Sequence, residues 1–76
     1  MPKQYIDREL VAEVAKKLRR LREERGISQD IVDMDIDTNA SRIERGMANI
    51  TISTLSKLCK YYGVSLEEFF RGIESE

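Results

Sequence analysis

The chain has 76 residues, 41% of them hydrophobic, with 13 Lys and Arg against 14 Asp and Glu, no His and a single Cys. At that length about 60% of the unfolded surface can be buried, so residues 1–76 read as one small domain with no second lobe for a catalytic site. Missing His removes the usual general base, the lone Cys59 makes neither an internal disulfide nor a Cys-based zinc site, and no apolar run exceeds three residues. Those counts exclude most enzymes, metal centres, cofactor chemistry and membrane spans, and they favour a cytoplasmic protein.

Charge is uneven along the chain: residues 1–27 hold 8 basic and 5 acidic side chains, residues 28–46 hold 2 and 5, and residues 47–76 hold 3 and 4. Leu10, Val11, Val14, Leu18 and Leu21 recur at helical spacing, which predicts a first helix from Arg8 to Arg25, capped by Asp7 and stopped by Gly26. Its outer face carries Lys16, Lys17, Arg19, Arg20 and Arg25 among Glu13, Glu23 and Glu24, the ordinary make-up of a solvated, pair-stabilised surface. Ser28 is an N-cap for a second helix from Gln29 to about Met34, burying Ile31 and next to it Val32. Asp33, Asp35 and Asp37 then alternate with Met34 and Ile36. Asp is poor in strands and no partner strand exists, so this stretch reads as a tight, Asp-capped turn. An EF-hand is excluded, because its glycine and bidentate Glu are not at the required offsets.

A third helix from Thr38 to Arg45 ends at Gly46, with Ala40 and Ile43 inward and Thr38, Asn39, Ser41 and Arg42 outward. Small polar residues with Arg suit base edges, since Arg forks onto guanine and Asn onto adenine. Thr51 caps a fourth helix with the stripe Ile52, Leu55, Leu58, Cys59 and Tyr62, ended by Gly63. Cys59 on that stripe is a core residue with no base to activate it. Ser65 and Glu68 have capping-box spacing, and Val64 is placed to staple onto Phe69. The fifth helix, Leu66 to Arg71, puts Leu66, Phe69, Phe70 and then Ile73 on one side.

The runs Leu21-Arg22-Glu23-Glu24-Arg25-Gly26-Ile27-Ser28-Gln29, Arg42-Ile43-Glu44-Arg45-Gly46, and Thr54-Leu55 through Gly63-Val64-Ser65-Leu66-Glu67-Glu68-Phe69 together resemble the lambda-repressor-like helix-turn-helix family of the xenobiotic-response-element type. The resemblance covers about residues 10–71 and implies an all-α, compact five-helix domain. It further implies a sequence-specific transcriptional regulator whose third helix enters the DNA major groove, usually as a two-fold dimer on a palindromic operator. By this resemblance Gln29 reaches a phosphate, Arg42 and Asn39 are the main base readers, Thr38 and Ser41 assist, and Arg45 contacts the backbone. Arg22 and Glu44 match the pair that joins the first helix to the end of the third.

Two features depart from the family pattern. The segment from Ser28 to Glu44 is about three residues shorter than the commoner helix-turn-helix, which truncates the second helix or its turn. Asp30, Asp33, Asp35 and Asp37 lie where many relatives are neutral or basic, and carboxylates near phosphate cost affinity. A 76-residue core also cannot bury every large side chain near the C-terminal end, which leaves Tyr61, Phe70 and Ile73 as an expected homodimer surface. The plainer alternative is that Phe70 covers the end of the first helix. A chain this short has no separate ligand domain, so no small-molecule effector is expected. The competing functional reading is a protein-interaction module, antitoxin-like or adaptor, whose acidic face meets a basic partner.

Overall fold

Every helix begins at a short polar side chain that accepts a backbone N–H otherwise left without a partner. The computed structural model describes residues 7–46 and 50–73. Asp7 opens α1 (Arg8–Glu24), its carboxylate accepting from Leu10 N–H at 3.0 Å. Ser28 opens α2 (Gln29–Ile36), Asn39 opens α3 (Ala40–Glu44) and Thr51 opens α4 (Ile52–Tyr62). At α5 (Leu66–Arg71) the capping box is complete: Glu68 N–H donates to Ser65 Oγ and Ser65 N–H donates to Glu68 Oε1, both at 3.0 Å. That bond to the Ser65 backbone, with the hydroxyl adding to it, holds Glu68 below its ordinary carboxylate range. Gly63 ends α4 at φ 79°, a left-handed conformation that glycine adopts without penalty.

The core lies where α1 packs on α3 and α4, α2 on the same two helices, and α5 on α4. Leu18, Val32, Leu58, Cys59 and Phe69 are its most deeply buried side chains, each large one worth roughly 1.5–3 kcal/mol of transfer free energy. Val64 and Leu66 pack beside them, half-buried. Burial pushes the Cys59 thiol up, against a weaker opposing pull from Lys17. That Lys17 ammonium stands 5.7 Å from the Phe69 ring centroid, which ties α1 to α5. Arg25 closes the other end, its Nε donating to Tyr62 O at 2.7 Å and its Nη1 to Leu21 O at 2.9 Å.

Five points differ from the sequence reading. The second helix runs on through Ile36 where a turn after Met34 was expected, and only Asp37, left-handed at φ 51°, reverses the chain. The reason is that Asp33 and Asp35 direct their carboxylates to distant partners and so do not compete for the helix's own backbone. Val32 is fully buried and Ile31 is 45% exposed, because one residue turns a helix by about 100° and a single stripe admits only one of two neighbours. Ile52, the first residue of α4, projects beyond the core and is 79% exposed. The third helix begins at Ala40, leaving Thr38 and Asn39 outside it. Arg25, expected on the open charged face, turns back to bind the two carbonyl groups.

Candidate nucleic-acid interface

α3 is short and has two sides. Ala40 and Ile43 are buried against the core, while Arg42 and Arg45 are exposed and Ser41 is half-exposed. Among the described residues Arg42 takes part in no ion pair, so its guanidinium keeps its five donors for a ligand. The Arg45 Nε donates back to Ser41 O at 3.3 Å, so its guanidinium curls along the helix it ends.

The far end of α3 is anchored by Glu44. Arg22 grips that carboxylate with two bonds, Nε to Oε2 at 2.8 Å and Nη2 to Oε1 at 3.0 Å, and its Nη1 donates to Ile27 O at 2.8 Å. The side chains are 12% and 3% exposed, and the carboxylate raises Arg22 above its already high ordinary value. Gln29 Nε2 also donates to Glu44 Oε1, at 2.9 Å. A primary amide has two N–H donors, so Gln29 keeps one for a phosphate after binding Glu44. It sits at the first position of α2, where the Gln29 and Asp30 amides open the helix and Ser28 takes the Ile31 and Val32 N–H groups. One network therefore joins α1, α2 and α3, and it was legible only in part: the Arg22 and Glu44 pairing was expected, the third member Gln29 was not.

The near end of α3 is held differently. Asn39 Oδ1 accepts from Arg42 N–H at 3.1 Å, which engages half of its amide as a cap, while Nδ2 has no partner among the described residues. Asp33 Oδ1, on α2, accepts from Ala40 N–H at 2.7 Å. Thr38, half-exposed, lies in the two-residue link before the helix. Asp35 Oδ2 accepts from Tyr61 Oη at 2.6 Å, a bond that raises the phenol's pKa and fastens α2 to α4. Of the four Asp residues, two are thus engaged within the fold, and Asp30 and Asp37 remain as exposed charge. Among the described residues, no three of His, Cys, Asp and Glu converge to hold a metal.

The basic face of α1 is partly self-paired, Lys16 with Glu13 at 3.5 Å and Arg19 with Glu23 at 3.0 Å. Tyr61 and Ile73 are half-buried against the core, while Phe70 is 40% exposed. Phe70 lines an apolar groove of about 180 Å³ together with Leu10, Val14, Ile50 and Ile52. Among the described residues no helix is long and apolar enough to cross a membrane.

A family model described as helix-turn-helix matches residues 18–69, which takes in α2, α3 and α4 whole. No curated protein and no solved structure matches the chain.

Proposed function

The chain belongs to this helix-turn-helix family, the lambda-repressor-like family of DNA-binding regulators, and on that premise we propose that it reads a specific operator through the major groove with α3. One observation carries the reading: the exposed Arg42 guanidinium stands on a helix whose two ends are both fixed by side chains of other elements. Such a helix presents the Arg fork from a fixed backbone, and that fork is the group suited to guanine O6 and N7. Ser41 and the amide of Asn39 assist, Thr38 lies at the margin, and Gln29 with the opening amides of α2 meets a phosphate. Arg45 contacts the backbone. We take the active species to be a homodimer on a palindromic site, with Phe70 as its exposed anchor and with Tyr61 and Ile73 lending the surface they retain.

Gel shift against a pool of random-sequence duplexes tests this directly. The reading expects enrichment of a two-fold symmetric sequence. No retention at low salt would reject it in favour of the interaction module. That second reading has one observation behind it: Ile31 and Met34 are exposed one turn apart on α2, beside the exposed carboxylates of Asp30 and Asp37, a face suited to a basic amphipathic partner.

A further inference from the structure

The joint between α2 and α3 is built from unusual parts. Asp37 holds φ 51° and ψ 63°, making it the one non-glycine residue of the described chain with positive φ. Only Thr38 and Asn39 then separate it from the first residue of α3. Across that short link, Asp33 from the last turn of α2 accepts the Ala40 N–H at 2.7 Å. Asn39, the residue at the cap position, accepts from Arg42 N–H in ordinary cap geometry, which leaves the Ala40 N–H to another acceptor. The first donor of α3 is therefore satisfied by a carboxylate of the preceding helix, in a short, charge-assisted bond.

Such a bond fixes direction as well as position. Ala40 is buried and Arg42 lies two residues further along a five-residue helix. A tilt at Ala40 moves the backbone from which the Arg42 fork reaches out, and a bidentate contact tolerates only a few tenths of an ångström before its hydrogen bonds fail. The Asp35 bond to Tyr61 holds α2 itself against α4, so the cap is mounted on a fixed support. From this geometry we propose that Asp33 is a positioning residue for DNA recognition, setting the angle at which Arg42 and Ser41 meet the base edges. The inference rests on the reading that α3 contacts bases. It also gives Asp33 a geometric purpose in a segment whose net negative charge otherwise opposes DNA.

The test compares affinity for the duplex enriched by the parent chain with affinity for a scrambled duplex, using the full chain and its variants. Asp33→Ala removes the acceptor and should lower that ratio about tenfold, the scale of one lost bidentate base contact. Asp33→Asn keeps an acceptor oxygen in place while removing the charge, and it should hold the ratio within about twofold of the parent. Faster exchange of the Ala40 amide in Asp33→Ala, but not in Asp33→Asn, should accompany the loss. If Asp33→Ala does not fold, Asp33→Glu answers in its place: it keeps the charge, displaces the acceptor by one methylene, and should also lose preference. An unchanged ratio in Asp33→Ala or its substitute overturns the proposal, as does an Asp33→Asn loss equal to that of Asp33→Ala. An Arg42→Ala variant in the same assay separates the two levels. If it leaves site preference intact, base reading by α3 is wrong; if it alters preference while the Asp33 variants do not, only the positioning role is wrong.

Discussion

Replacing Glu44 with Gln should unfold the domain well below the parent's melting temperature. The carboxylate is 3% exposed, accepts two bonds from Arg22 and one from Gln29, and has no water-facing side on which a loss could be made up. Gln supplies one acceptor oxygen and turns an amide NH₂ toward a guanidinium that has only donors to offer. Removing one member of a buried pair costs about 3–5 kcal/mol, and the 12% exposure of Arg22 places the expected loss near the lower figure. A domain of this size shifts by about 4–8 °C per kcal/mol, so the melt should fall by roughly 12 °C or more. Thermal unfolding by circular dichroism measures this. Replacing both partners with apolar residues, Arg22→Met with Glu44→Leu, should recover part of the loss, since no buried charge then stands alone while the Ile27 carbonyl and the Gln29 amide still lose their partners. A Glu44→Gln melt within about 1 °C of the parent would refute the claim that this pair holds α3 to α1.

Burial pushes the Tyr62 phenol up to about 12, with the Glu44 carboxylate adding to the shift. The folded state thus holds its proton more tightly than the unfolded chain, so this contribution is complete below the ordinary phenol value of about 10 and is lost as pH rises toward 12. Denaturant titrations should show stability falling across that window, and Tyr62→Phe should flatten the fall. Glu68 has the opposite sign: its depressed pKa stabilises the fold above the ordinary carboxylate value, and that help disappears as pH drops through the folded value. Ser65→Ala should cost about 1 kcal/mol at neutral pH and weaken this acid dependence, read from melts between pH 3 and 7, roughly the span of carboxylate titration. Sedimentation should find a dimer at high micromolar concentration that Phe70→Ser disrupts; a monomer both with and without DNA would contradict the proposed two-fold assembly.

What could be read from the chain were signals carried within three or four residues. Asp7, Ser28, Thr51 and Ser65 each cap the helix that follows them, and the Ser65 and Glu68 box forms as its spacing predicts. Local pattern failed where the deciding partner is distant. Asp33 answers to Ala40, seven residues on, and Asp35 to Tyr61, 26 residues on, so a stretch of alternating Asp looked like a turn and is mostly helix. Arg25 is likewise claimed by Tyr62, 37 residues away. At Ile31 and Val32 two adjacent apolar residues compete for one stripe, and only the position of α3 and α4 against α2 decides between them. For the site, the family resemblance, not any local spacing, pointed to the Arg22 and Glu44 pair at the end of α3, and neither the amide of Gln29 nor the cap from Asp33 has a signature in sequence spacing.

Base reading by α3 is decided most directly by what Arg42 does when DNA is bound. Affinities of Arg42→Ala and Arg45→Ala should be measured on the enriched duplex and on scrambled DNA across a range of salt. Loss of a bidentate guanine contact should cost about 1–3 kcal/mol on the preferred site, relax specificity at one base pair, and barely change scrambled binding. Loss of a phosphate contact at Arg45 should weaken both duplexes alike and reduce the salt slope by about one unit. If Arg42→Ala instead lowers affinity for every duplex equally and leaves site preference unchanged, α3 is not reading bases and the central claim is wrong.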